Sequence, residues 1–359
     1  LLYDLTTVFT HSRNIRMAEK GYNNERKYCN QLGVVIAFSV EDMLPAGIEV
    51  YWGSMKDITT IKDFLERFRK RSMGFILDRS GEEIFDLYKG REDVYRSLGL
   101  AFIPPELRED QGEIEAAIDG TLPDLIKHED IRGDLHIHST WSDGRNSIQE
   151  MVDKARSLGY CYIAICDHSP AVGVVHGVDE VKLLDEMDEI DRINDSLTDF
   201  KVLKGIEVDI RSDGKLDLPD KALEPLDIVV AAVHTGLSQS KEEMTARIIS
   251  AIENPNVDVI AHPTGRIIGK RDPCDLDIEA IVDACIDYDT ILEINANPRR
   301  LDLNDTHARY ARNRGVKLAI STDAHDTSQM DLMHFGVATA RRGWLLKEDV
   351  VNTELVYVN

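Results

Sequence analysis

Two histidines stand two residues apart in Gly133-Asp134-Leu135-His136-Ile137-His138-Ser139, directly after an apolar run, and Asp143 follows shortly after. In a strand, side chains at i and i+2 share a face, so His136 and His138 reach one metal ion together. Similar groups end later apolar runs: Asp167-His168, Gly205-Ile206-Glu207, Val233-His234, Ala261-His262-Pro263, Glu293-Ile294-Asn295-Ala296-Asn297-Pro298 and Thr322-Asp323-Ala324-His325. Imidazole and carboxylate donors suit Zn, Mn or Fe, and the lack of cysteine among them disfavours a structural zinc cage. His136, His138, Asp143, His168, Glu207, His234, His262, Asp323 and His325 are too many ligands for one ion. Three divalent ions sharing a bridging carboxylate satisfy the count. A lone histidine at a strand end is more often a hydrogen-bonded residue than a ligand, but successive strand ends each carrying one are not accidental. His11, His128, His307 and His334 lack that placement and read as structural; His176 follows His168 in one loop and stands between the two cases.

The elements that must position these residues are legible from Arg132 onward. Strand-like runs are predicted at 134–138, 162–166, 202–210, 228–233, 257–261, 291–294 and 317–321. Helical periods are predicted at 147–158, 179–197, 241–252, 277–286, 305–313 and 330–342. Such alternation predicts a parallel α/β fold. Seven strands with functional residues at or just past their C-terminal ends predict a barrel. An open doubly wound sheet would bring a Gly-rich first turn, and none is present. In a parallel barrel all seven ends lie on one face, which gathers six of the eleven histidines round one mouth.

Residues 1–73 are harder to read. A helix is expected to open at Thr10–Met17 with Ser12 as its cap, and short strands are expected at 32–38 and 48–52. Residues 58–71 read as an amphipathic helix ending in Arg67, Arg69, Lys70 and Arg71. Those cations suit a helix C-terminus or, alternatively, contact phosphate. A strand and turn are expected at 75–81, a short helix at 91–98 and an acidic helix to Ala117. Pro104-Pro105 and the charge run after it mark a linker, with the domain boundary near residues 105–130.

A chain of 359 residues buries one large core or two moderate ones. No apolar run approaches the length of a membrane span, and no signal-peptide pattern is present. The chain begins at Leu1 rather than Met and reads as a piece of something longer. Five cysteines, with no CxxC pair, point to reduced thiols and a cytoplasmic home. Cys161 and Cys166 fall in a strand-like run and read as core. A net charge of -23 argues against nucleic-acid binding by bulk attraction but leaves room for a local basic site. Arg266, Lys270 and Arg271 follow His262, and Arg299 and Arg300 follow Asn297, so both groups lie on the metal-bearing face. They suit phosphate binding, with ordinary surface solubility as the alternative for each.

The series His-Ile-His, Asp-His-Ser, Gly-Ile-Glu, Val-His, Ala-His-Pro and Asp-Ala-His resembles the PHP (polymerase and histidinol phosphatase) domain. Ile103-Pro104-Pro105-Glu106-Leu107-Arg108, Asp130–His136, Ile294–Pro298 and Ala340-Arg341-Arg342-Gly343-Trp344 resemble the C-terminal part of bacterial and archaeal family X DNA polymerases. The resemblance covers residues 75–359 well. It implies a distorted seven-stranded (β/α) barrel at 121–359, preceded by a smaller α+β, partial palm and thumb-like region at 1–120. It implies one ion on His136, His138, Glu207 and Asp323, a second on Glu207, His234 and His262, and a third on Asp143, His168 and His325. Glu207, His136, His138, Asp323, His234 and His262 would then hold the attacking water, activated by metal. The implied activity is phosphoester hydrolysis at DNA 3′ ends, gaps and abasic sites in DNA repair. It would be of the 3′-5′ exonuclease, 3′-phosphatase or abasic-site endonuclease type, often with manganese. Residues 1–73 depart from the pattern: the family's Thr-Gly-Ser is missing, and residues 17–65 are longer than its thumb. The palm carboxylates are expected upstream of Leu1, so polymerase chemistry is not carried by this chain alone. The alternatives are a small-molecule phosphatase of the histidinol phosphatase type, and a non-catalytic, metal-stabilised scaffold that binds DNA.

Overall fold

The computed structural model describes residues 95, 100–109, 111–171 and 176–354, with the strand segments at 2–10, 19–22, 28–38, 45–52 and 76–77. The chain divides into two compact units, one of residues 1–103 and 112–122, the other of 104–111 and 123–359.

The first unit holds a five-stranded sheet of β1 (Leu2–Thr10), β2 (Glu19–Tyr22), β3 (Tyr28–Phe38), β4 (Pro45–Trp52) and β5 (Ile76–Leu77). β3 is its centre. It pairs antiparallel with β1 along one edge, from Leu2↔Phe38 to Thr10↔Asn30, and with β2 and then β4 along the other. β5 adds parallel to β1. The expected strands at 32–38 and 48–52 fall within β3 and β4. Only the start of β1 has a counterpart in the sequence, the resemblance of Leu1-Leu2-Tyr3 to a last palm strand; a helix is expected to open at its last residue, Thr10. The rest of that expected helix, and those at 58–71 and 91–98 apart from helical Tyr95, lie outside the described residues. The acidic helix is α1 (Glu113–Asp119), flanked by Gly112 and Gly120 in the left-handed conformation that glycine adopts without steric penalty.

The second unit is a parallel barrel of β6 (Gly133–Ile137), β7 (Tyr162–Ile165), β8 (Lys201–Asp209), β9 (Ile228–Ala232), β10 (Val259–Ile260), β11 (Ile291–Asn295) and β12 (Leu318–Ser321), paired in chain order. A bridge from Ile137 to Ala324 brings the first strand to the last, with His138 N donating to Ala324 O at 2.9 Å. Between the strands run α2 (Ile148–Ser157), α3 (Glu180–Asp195), α4 (Asp220–Leu223), α5 (Lys241–Ile252), α6 (Ile278–Tyr288) and α7 (Asp305–Asn313), and α8 (Met333–Arg342) follows the last strand. Their starts are written in the sequence. Ser147 with Glu150 and Ser240 with Glu243 form reciprocal capping boxes, and Asp179, Asp277 and Asn304 accept from first-turn amides. The expected strands and helices of this region match these elements closely. Only α4, a single turn after Pro219, was not anticipated.

The strands place the site by alternation. Val202, Ile206, Val208, Val229 and Ala231 join the large core beneath the helices. Tyr162, Ala164, Cys166, Leu203, Val230, Ala232 and Ala319 form a second, inner cluster. Continuing the inner parity upward leads to His168, Glu207, His234 and Asp323 at the C-terminal ends. Gly205 is required on that inner path, because a Cβ there would lie 2.7 Å from both Cys166 Sγ and Ile165 O. Among the described residues no helix is long and apolar enough to cross a membrane.

Candidate metal centre

All nine ligand-type residues converge at the C-terminal mouth of the barrel, with Glu207 at the centre. Its Oε1 lies 3.0 Å from His262 Nε2 and 3.3 Å from His234 Nε2. Its Oε2 lies 2.7 Å from His168 Nδ1, 3.5 Å from His136 Nε2 and 3.6 Å from His138 Nε2. Asp323 Oδ1 lies 3.1 Å from His138 Nε2 and 3.9 Å from His136 Nε2. Asp143 Oδ1 lies 3.4 Å from His325 Nε2 and 3.7 Å from His168 Nε2. Three groups are each tight enough to share an ion: His136 with His138 and Asp323; His168 with Glu207 and His234; and His138 with Asp143, His168 and His325. These differ from the sets expected from sequence: His138 and His168 each border two groups, Glu207 falls with His168 and His234 and not in the group of His136 and His138, and His262 joins through Glu207 alone.

Buried carboxyl and amide groups fix the rings. Glu293 accepts from His136 Nδ1 at 2.8 Å and from His262 N at 2.7 Å. Asp209 accepts from His234 Nδ1 at 3.0 Å, and Asp323 O from His325 Nδ1 at 2.8 Å. Asn295 donates to Asp323 Oδ2 at 3.1 Å. Such partners set the tautomer of each imidazole and leave Nε2 with its lone pair. His136, His234 and His325 therefore present lone pairs towards carboxylate oxygens. That arrangement is repulsive unless a cation or proton stands between. His136 Nε2 and Glu207 Oε2 are buried without a hydrogen-bond partner.

The electrostatics agree. Burial opposes a charged ring at His136, yet Glu207 and Glu293 outweigh it and hold its pKa well above the usual value. The same contest, won by Glu207 and Asp209, raises His234 to about 9; Asp143 and Asp323 raise His325 to about 9. Burial raises Glu207, but His168, His234 and His136 prevail and hold it well below the carboxylate range. Burial and then His325 and His168 push His138 down to about 4, so that ring is neutral and able to ligate. A site that draws in several protons when it has no other cation has the donor chemistry of a multinuclear divalent centre. The residues present fit such ions. His262 and Asp323 also adopt positive φ, at 30° and 53°, a conformation that a non-glycine residue holds only where its surroundings impose it.

Glu293, Asp209 and Asn295 received no role from the sequence. The signal was present: Asp209 follows Glu207 by two residues in β8, and Glu293 precedes Asn295 by two in β11, so each pair shares the inner face. The five expected cations divide. Lys270, Arg299 and Arg300 line a cavity of about 570 Å3 together with Asp323, His325, Asn297 and Gln329. Arg300 Nε lies 3.5 Å from Asp323 Oδ2. Arg266 instead donates to the carbonyls of Arg300 and Leu301, and Arg271 Nε to Gly265 O at 2.8 Å. Both side chains hold the loops that carry the other three. The possible exception among the histidines, His176, has a positive φ of 51° and its carbonyl accepts from Lys182 Nζ.

Residues 134–297 match the PHP domain family. The chain is 38% identical over 312 residues to the DNA polymerase/3′-5′ exonuclease PolX of Bacillus subtilis strain 168, covering 87% of this chain and 54% of that protein. It thus spans about half the length of that relative. It is 30% identical over 237 residues to a protein of Thermoanaerobacter sp. strain X514 named "Probable phosphatase", covering 62% of this chain and 90% of that one. Among solved structures, a histidinol phosphate phosphatase from Lactococcus lactis shares 16% identity at a TM-score of 0.43, covering 58% of this chain and 93% of that one. A barrel whose strand ends and the loops after them bring nine imidazoles and carboxylates to one mouth, and a relative matched over 90% of its length, lead to one statement: the chain belongs to the PHP domain family.

Proposed function

We propose that the barrel is a metal-dependent phosphoesterase acting on DNA 3′ ends, as the hydrolytic part of a family X polymerase serving DNA repair. The observation that carries this reading is the shared wall of one cleft, where Lys270, Arg299 and Arg300 face the same space as Asp323 and His325. A phosphate bound by the cations would lie against the ligand cluster. Similarity to the B. subtilis exonuclease over most of this chain supports DNA as the substrate.

Bound divalent ions, zinc or manganese among them, supply Lewis acidity and an activated water. The chain's own residues do the rest. Glu207 and Asp323 provide charge for ions held by His136, His138, His168, His234, His262, Asp143 and His325. Glu293 and Asp209 hold the rings of His136 and His234 so that each presents Nε2. Arg299 and Arg300 offer planar forks that match a phosphate, and Lys270 a third cation. The first unit, with the thumb-like role expected of residues 1–120, would carry the rest of the DNA contact.

The test is trimming of an end-labelled primer with added manganese. Wild type should shorten the primer and His138→Ala should not; equal trimming by both refutes the assignment. Arg299→Ala should raise KM for DNA and leave metal content unchanged. A second reading, a small-molecule phosphatase, has support in the phosphatase-named relative matched over 90% of its length. Faster turnover of a phosphorylated amino alcohol than of a DNA 3′-phosphate would favour it.

A further inference from the structure

The seven barrel strands pair in chain order, which leaves β6 and β12 as the two ends of the row. Among the described residues one bridge, Ile137 to Ala324, joins those two ends backbone to backbone, and it lies at the mouth. Below it, side chains stand where a ladder would run. Asp134 of β6 accepts from Thr322 N at 3.1 Å and from Thr322 Oγ1. Lower still, Asn352 enters from the segment after α8. Its Oδ1 accepts from Ile320 N at 3.0 Å, and its Nδ2 donates to Ile320 O and to Gly133 O, both at 2.8 Å. Its carbonyl accepts from Arg132 N at 2.8 Å, and Val350 bridges to Leu318. Asn352 is fully buried.

A carboxamide suits this place and other groups do not. The seam offers one N–H and two C=O groups, and asparagine returns one acceptor and two donors. A carboxylate lacks both donors, and an apolar side chain would leave those buried backbone groups without partners. The rung also stands in a fixed relation to the site. Gly133 precedes His136 by three residues, and Ile320 precedes Asp323 by three. It therefore lies about 10 Å below both ligands along the strands. Two of the three ligand groups have members on both sides of the seam: His136 with His138 and Asp323, and His138 with Asp143, His168 and His325. The third, His168 with Glu207 and His234, draws on β7, β8 and β9 and does not cross it.

We propose that Asn352 is a positioning residue for the ions that span the seam: its carboxamide stands in for a missing ladder rung and fixes β6 against β12 in the register that brings His136 and His138 to Asp323. This rests on the metal reading above. It gives the segment after α8 a part in the site although none of its side chains is a ligand.

The experiment titrates manganese into the whole metal-free chain, as wild type and as Asn352→Ala, against a competing chelator. Asn352→Ala should keep one ion at wild-type affinity, in the group of His168, Glu207 and His234. The remaining ions should bind about 10-fold more weakly, the lower end for loss of a residue that orients ligands. A merely structural loss would weaken every ion alike. Equal weakening of all ions, or no weakening, overturns the proposal. Should Asn352→Ala not fold, Asn352→Ser, which keeps one hydroxyl for the seam, takes its place with the same expected pattern. Hydrogen exchange of the metal-free chain is the second measurement. The amides of His138 and Thr322 bond across the seam but not to Asn352, while Ala261 N bonds to Ala231 O away from it. In the variant the first two should exchange faster and Ala261 should not change; wild-type rates at His138 and Thr322 overturn the proposal. If wild type itself binds no metal, the metal reading fails separately, and the exchange rates alone decide whether Asn352 sets the register.

Discussion

At the scale of single residues, the site is a set of imidazoles whose tautomers are chosen by acids behind them. Glu293 acts on two ligand residues at once, through the ring of His136 and the backbone of His262. Glu293→Gln should therefore lower metal affinity about 10–100-fold, the range for loss of such a partner, with the fold intact; isothermal titration with zinc measures it. A second acid offers a pH test. Burial raises the pKa of Asp302 to about 6, against weaker lowering by Thr264, Arg266 and Arg300. A carboxyl raised in the folded state binds its proton more tightly there than in the unfolded chain. Stability from this group is therefore greatest in acid and falls as pH rises from its unfolded value to about 6. Asp302→Asn should gain stability relative to wild type between pH 4 and pH 7, by on the order of 3 kcal/mol, in urea titrations of chelated protein. The ligands were legible because histidine is uncommon and strand ends are easily located. For Glu293 and Asp209 the spacing marked the shared face but not which ring each meets across the barrel, and Asp302 lies in a loop between β11 and α7, outside every predicted strand.

At the scale of elements, two motifs singled out in the sequence prove to be one structure. Glu106, in the turn after Pro104-Pro105, accepts from Arg341 Nε of α8 at 2.7 Å, and Glu109 pairs with Arg342 at 2.7 Å. Arg341 Nη1 also donates to Ile126 O, and the Arg309 guanidinium stacks 4.1 Å from the Trp344 ring. The segment at 104–111 is thus strapped to the last two barrel helices. A double-mutant cycle on Glu106→Gln and Arg341→Gln should give a coupling of about 0.5–1 kcal/mol that shrinks as salt is added. The barrel strands and helices were legible because their periods of two and 3.6 are uninterrupted and their caps are explicit. In the first unit three of the five strands were read, β3, β4 and β5. The length of β1 beyond Tyr3 was not legible because Asp4, Thr6 and Thr7 break up its apolar residues, and a nearby serine and arginines imitate a helix start.

At the scale of the whole molecule, the ions would be part of what holds the barrel together. Without them Glu207, Asp323, Asp143 and the histidines retain a concentration of charge that only protons relieve. Chelation should lower the thermal midpoint. Each ion at 100-fold its dissociation constant contributes about 2.7 kcal/mol, and each kcal/mol moves a domain of this size by about 2–4 °C. Scanning calorimetry with and without chelator reads this directly, and an unchanged midpoint refutes it. Parallel order and shared strand ends were legible from the alternation of elements. Closure into a barrel was legible too, but not the residues that seal it, since Ile137 and Ala324 lie far apart in the chain. That seam also sets an order of events during synthesis. The group of His136, His138 and Asp323 draws its members from the first and last barrel strands and the loops that follow them. A nascent chain therefore exposes two waiting histidines for the whole time the ribosome makes the other six strands. The ion that joins them can be captured only after Asp323 has been translated and has left the exit tunnel.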